Sequence, residues 1–146
     1  GQYRQGLVSD ALVELTDIAP TLLAEAGLAP PARMQGRSLA ALLRGTADPG
    51  AHRDFVRSEF YHALSPVDRT HIRGTYATMY RNRQHKLCVY HGKDAGELYD
   101  LDIDPGEFDN LWDNGESRDL RLDLMKRSFD ALAFATDIGT PHVSQF

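Results

Sequence analysis

A single cysteine, Cys88, stands among 146 residues, so no disulfide can form within the chain and a disulfide-stapled framework is excluded. Long apolar runs are missing as well: none approaches the ~20 residues that cross a bilayer as a helix. With no visible signal segment either, the sequence favours a cytoplasmic location and no membrane partner. Basic stripes are absent. Sixteen Lys and Arg stand against 21 Asp and Glu, a net charge of −5, and no row of cations is available to neutralise a nucleic-acid backbone. Nor does the chain contain His-Glu-x-x-His, Gly-x-Ser-x-Gly or a phosphate-cradling glycine loop, the signatures of zinc proteases, serine hydrolases and nucleotide-binding enzymes.

What is present suffices for a folded domain: 42% of the residues are hydrophobic, which at this length gives one ordinary core and argues against disorder. Ala11–Leu15 reads as a strand. Asp17 then N-caps a helix in which Pro20 falls in the first turn, where its missing N–H costs little, and Gly27 closes it. Ile18, Leu22, Leu23 and Ala26 form its apolar face. Ser38 caps a second short helix carrying Leu39, Leu42 and Leu43, and the small, polar run Thr46–Gly50 marks a boundary.

Beyond that boundary Phe55–Tyr61, Thr75–Arg81, His85–His91 and Glu97–Leu101 are strand-length and rich in aromatic or β-branched residues. Short connections at 82–84 and 92–96 favour hairpins, so the four predict an antiparallel sheet. Ser117–Ala135 is an amphipathic helix whose stripe Leu122, Met125, Phe129 and Leu132 is expected to cover one face. Asp137–Phe146 is a tail. The fold class is therefore α+β.

The stretch Gly96–Trp112 joins the last strand to this helix through Asp104-Pro105-Gly106, a turn signal. Phe108, Leu111 and Trp112 are expected to pin the returning chain onto the sheet. Its carboxylates (Asp100, Asp102, Asp104, Glu107, Asp109) begin like an EF-hand loop, but Pro105 stands where the invariant glycine belongs and Leu111 where the bidentate glutamate belongs. An acidic turn accepting local backbone N–H groups fits better.

The string E-L-Y-D-L-x-x-D-P-x-E-x-x-N-L within this stretch resembles the C-terminal signature of the sulfatases, the formylglycine-dependent hydrolases of the alkaline-phosphatase-like superfamily. Asp17-Ile-Ala-Pro-Thr-Leu-Leu23, Gly27 and Gly36-Arg-Ser-Leu39 are similar to the segment that leads out of the family's catalytic domain. The resemblance implies that residues 1–50 end an α/β catalytic domain and that 51–136 form the C-terminal subdomain, sheet plus helix, with 137–146 as tail. It also implies a parent enzyme that cleaves a sulfate ester, or a phosphonate or phosphate monoester, with formylglycine and a divalent cation, usually calcium. Cys88, followed by Val89-Tyr90-His91, does not match the C-x-P-S-R context of the formylglycine precursor, and no Asp-Asp pair precedes position 50. Catalytic, cofactor-binding and metal-binding residues are thus expected to lie outside this segment.

Candidate contacts to an anionic ester are His62, His71 and Arg73, with Arg69, around the loop after the first strand of the sheet. A solvated polar loop is the alternative. His85 and His91, six residues apart on one strand, would be about 20 Å apart and cannot share a metal. As partners the resemblance implies the remainder of the catalytic domain, or failing that a homo-oligomer, because Leu7, Leu12, Ile18, Leu22, Leu23, Leu39, Leu42 and Leu43 lack a sheet of their own. The rival function is a stand-alone, non-catalytic interaction or oligomerisation module.

Overall fold

The strands expected from the aromatic and β-branched runs all form, in chain order across one antiparallel sheet: β1 (Val56–Tyr61), β2 (Tyr76–Arg81), β3 (His85–Tyr90) and β4 (Gly96–Asp100). The computed structural model describes residues 2–61 and 75–136. These divide into two compact units, one made of the residues up to His52 and from Asp130 onward, the other of those in Arg53–Phe129.

In the sheet unit, Asn82 turns the chain between β2 and β3 by accepting the backbone N–H groups of Gln84 (2.9 Å) and His85 (2.7 Å). That turn fixes the β2–β3 register, and with the pairings of β1 and β4 the sheet aligns Arg57, Tyr80, Leu87 and Leu98 in one row and Glu59, Thr78, Val89 and Gly96 in the next row on the same face. Tyr80, Leu87 and Leu98 are buried and form the centre of the core. Phe55 stacks on Tyr80 at 5.1 Å.

Trp112 is buried against β4, its ring lying where a Cβ on Gly96 would come within 2.2 Å of Cζ3. Asn110 secures this contact: its Oδ1 accepts the N–H groups of Leu98 (3.0 Å) and Trp112 (2.9 Å), and its Nδ2 donates to the Gly96 carbonyl (3.0 Å). Leu111 adds a backbone bond to the Leu98 carbonyl at 2.8 Å. The outer edge of β4, otherwise a row of unpaired donors and acceptors, is closed by this segment. Phe108 departs from expectation, for it is 89% exposed. Glu107 before it adopts φ 58°, a left-handed kink that turns the chain between the acidic turn and Asn110.

A 3-10 turn, Gly115–Ser117, opens onto helix α3 (Arg118–Ala135), with the Asn114 side chain capping the Glu116 N–H at 2.8 Å. The helix forms where expected, but rotated. Leu122, Met125, Phe129 and Leu132 are exposed, Phe129 by 70%, whereas Leu124 is 1% exposed. Arg121 decides this rotation: its guanidinium donates to the Trp112 carbonyl and sits 4.9 Å from the centroid of the indole. With 3.6 residues per turn, Leu124 then follows on the same side, and Arg127, one turn further, reaches the hydroxyl of Tyr80.

In the other unit the expected strand at 11–15 is absent. The chain runs without regular structure to Glu14, then makes a 3-10 turn (Leu15–Asp17) into α1 (Ile18–Glu25). Asp17 causes the turn. Fully buried, its Oδ2 accepts the Glu14 N–H (2.9 Å) and its Oδ1 the Arg37 N–H (2.7 Å), so the carboxylate joins segments 20 residues apart. Thr21 extends the link, donating to the Asp17 carbonyl (2.6 Å) and accepting from Leu39 N–H (2.8 Å). At Gly36 a Cβ would meet the Thr16 carbonyl oxygen at 1.9 Å, so only glycine fits. Pro20 and Thr21 form the buried face of α1, whereas Ile18 and Leu22, expected there, are exposed. The second helix, α2 (Ala40–Leu43), buries Ala40 and Leu42.

Candidate functional site

The sequence-derived ester contacts His62, His71 and Arg73 lie outside the described residues, in the segment between β1 and β2. What the structure describes is the end of the sheet from which that segment departs. Tyr61, the last residue of β1, is the direct cross-strand partner of Tyr76, the first of β2, and their rings lie 5.8 Å apart at 35°.

Side chains alternate along a strand, so the face that carries Tyr61 and Tyr76 also carries Glu59, Arg57 and Thr78. His91, just past β3, joins them: its N–H donates to the Tyr76 carbonyl at 2.7 Å, and its Nε2 is 3.0 Å from the Thr78 hydroxyl. This face is thus buried and apolar at Leu87 and Leu98 but polar, aromatic and open toward Tyr61. Arg57 pairs with Glu59. Partial burial, followed by a hydrogen bond with Glu59, pushes the Tyr61 hydroxyl above its ordinary range, so it stays protonated at neutral pH. The cluster offers hydroxyls, an imidazole and a ring surface, with its cation neutralised.

Cys88 belongs to the opposite face, in the row of Met79 and Glu97. Burial first, and the nearby Glu97 second, push its thiol up to about 11, so it is un-ionised and unreactive at neutral pH. His85, opposite Asp100 at the start of β3, is at the far end of the strand from His91, as the spacing implies.

Three of the five carboxylates of the acidic turn are committed locally. Asp100 accepts the N–H groups of Asp102 (3.0 Å) and Ile103 (3.4 Å), Asp104 that of Asp109 (2.9 Å), and Glu107 pairs with Lys86. Among the described residues no group of three His, Cys, Asp or Glu side chains is placed to hold a metal ion. In the other unit His52 Nε2 lies 3.5 Å from Asp17 Oδ2 without a well-formed hydrogen bond. No helix among the described residues is long and apolar enough to cross a membrane.

The Tyr61, Tyr76, Thr78 and His91 grouping does not stand out in the sequence, because these residues are far apart in the chain and meet only through the strand register. The signal available was the pair of tyrosines ending two predicted strands on either side of one loop.

Comparison with known proteins gives a consistent picture. Residues 1–133 match the family described as N-sulphoglucosamine sulphohydrolase, C-terminal. The chain is 29% identical over 124 residues to an N-acetylglucosamine-6-O-sulfatase of Bacteroides thetaiotaomicron, covering 84% of this chain and 22% of that protein. It is 38% identical over 95 residues to a Delta 4,5-hexuronate-2-O-sulfatase of the same organism, covering 65% of this chain and 18% of that protein. Its fold is similar to that of a phosphonate monoester hydrolase from Silicibacter pomeroyi, with a TM-score of 0.77 at 23% identity, covering 93% of this chain and 28% of that one. The chain therefore spans less than a third of the length of each of these proteins.

Proposed function

Because this chain belongs to the sulfatase family, as its N-sulphoglucosamine sulphohydrolase C-terminal region, we propose that it is the C-terminal portion of an enzyme that removes sulfate from a sulfated saccharide. In this reading it supplies scaffold and one wall of the substrate cleft. The observation that carries it is the continuous match over residues 1–133, which takes in both the Asp17 segment and the sheet. The saccharide substrate is supported by the relatives, an N-acetylglucosamine-6-O-sulfatase and a hexuronate-2-O-sulfatase. The similarity to a phosphonate monoester hydrolase is one of fold.

Neither calcium nor formylglycine fits the described residues. Asp100 and Asp104 of the acidic turn accept backbone N–H groups and Glu107 pairs with Lys86, no group of three His, Cys, Asp or Glu among the described residues is placed to hold a metal ion, and Cys88 is a half-buried strand thiol facing away from the tyrosine cluster. Nucleophile and metal belong to the remainder of the catalytic domain, which is also the partner for the exposed apolar residues Ile18 and Leu22. To the same proposal belong His62, His71 and Arg73 as contacts to the anionic ester.

The test is an assay of sulfate release from 6-O-sulfated N-acetylglucosamine and from an unsaturated 2-O-sulfated disaccharide. It compares the chain alone with the chain joined to, or co-purified with, a segment bearing C-x-P-S-R. Release is expected only in the second case. Failure of both, or the lack of any such segment, would leave the non-catalytic module; hydrolysis by the chain alone, abolished by a substitution within it, would overturn the division of labour.

A further inference from the structure

We infer that the open end of the sheet, Tyr61 and Tyr76 with Glu59, Thr78 and His91, holds the neutral pyranose ring of the substrate and not its sulfate; this rests on the saccharide reading above. A sulfate-binding surface needs unneutralised cations or converging N–H donors. Among the described residues this surface has neither in excess, since the guanidinium of Arg57 is paired with Glu59.

A pyranose has the complementary requirements. Its C–H face packs on aromatic rings, and its hydroxyls take and give hydrogen bonds at fixed angles. Tyr61 is 50% exposed, with its ring tilted 35° against Tyr76, so a ring surface remains open to solvent beside the pair. Around it stand the protonated Tyr61 hydroxyl, the Glu59 carboxylate and the Thr78–His91 pair, whose mutual bond of 3.0 Å orients both groups and uses only part of their capacity. All project from two paired antiparallel strands and the residue after the third, so the surface is held by backbone pairing. This assigns Tyr61 and His91 to recognition of the sugar, the part of the substrate that distinguishes one sulfate ester from another.

Saturation-transfer NMR on the full chain tests the assignment, with N-acetylglucosamine as probe and inorganic sulfate as competitor. Sugar ring protons are expected to receive saturation, and excess sulfate to leave the signal unchanged. Tyr61→Ala should lower it about fivefold while Tyr61→Phe keeps most of it, as a stacking contact demands. His91→Ala should weaken transfer at protons beside the hydroxyls more than on the C–H face. Tyr61 is exposed at a strand end, and unchanged Trp112 fluorescence verifies that the variants fold. The inference is overturned by absence of transfer, by a Tyr61→Ala signal equal to wild type, or by displacement with sulfate. These outcomes are separable from the sulfatase reading, which stands or falls on sulfate release.

Discussion

Replacing Gly96 by alanine places one methyl group against the best-packed contact of the sheet unit. The new Cβ would lie 2.2, 2.3 and 2.5 Å from Cζ3, Cε3 and Cη2 of Trp112, well inside van der Waals contact, and the indole must move. It has little room to do so. Its backbone N–H is held by Asn110, its carbonyl by Arg121, and the ring is buried. Overpacking of this kind costs about 1–3 kcal/mol. Trp112→Ala alone should cost about 3–5 kcal/mol through the cavity it leaves. In the Trp112→Ala background the Gly96 methyl enters vacated space, so its cost should fall below about 0.5 kcal/mol and the two changes should be strongly non-additive. Denaturant unfolding followed by far-UV circular dichroism measures all four proteins of this cycle on one scale. Additive effects, or a Gly96→Ala variant as stable as wild type, would refute the account of how the segment after β4 docks.

Asn110→Ala removes the acceptor for Leu98 and Trp112 and the donor to Gly96, and should cost about 1–3 kcal/mol with faster hydrogen exchange at those two amides; unchanged exchange would contradict the edge contact. Cys88, with its thiol raised to about 11 by burial, is mostly neutral below that pH, so its alkylation rate should still be climbing through pH 9 and 10 and level off only above 11. A plateau at or below pH 9 would show an accessible thiol. Sedimentation equilibrium at micromolar concentration should find the chain associated, because Ile18 and Leu22 in one unit and Leu122 and Phe129 in the other are exposed; a clean monomer with little binding of an apolar dye would refute this.

The sheet was legible because its strands are separated by short polar connections and are dense in aromatic and β-branched residues, a local signal. The helix was legible in extent but not in rotation. Leu122, Met125, Phe129 and Leu132 outweigh Leu124 by bulk, and periodicity alone therefore favours the exposed stripe; the anchor between Arg121 and Trp112 that turns the helix is a tertiary contact. Ala11–Leu15 has the composition of a strand, but Asp17 captures the Glu14 N–H and bends the backbone, and among the described residues no strand lies beside it. Phe108 was expected inside for its size, and the left-handed conformation at Glu107 carries no sequence signal when the residue is not glycine. Of the candidate site, the loop between β1 and β2 could be found from residue types. The tyrosine, threonine and histidine cluster at its base depends on strand register, which brings together residues from β1, β2 and the end of β3.

The amide of Asn110 impersonates a neighbouring strand, presenting an acceptor and a donor at the spacing that β4 offers its own partner. It acts as a stop codon written in hydrogen bonds, ending the sheet where a fifth strand would otherwise be recruited. Asparagine is the side chain that serves both atoms, whereas aspartate at neutral pH would turn the donor into a second acceptor facing a carbonyl. The most recognisable string in this chain, the one that ends in Asn110-Leu111, is consequently a record of where an architecture terminates. On the inference drawn above, recognition of the substrate belongs to the other margin of the sheet, where β1 meets β2.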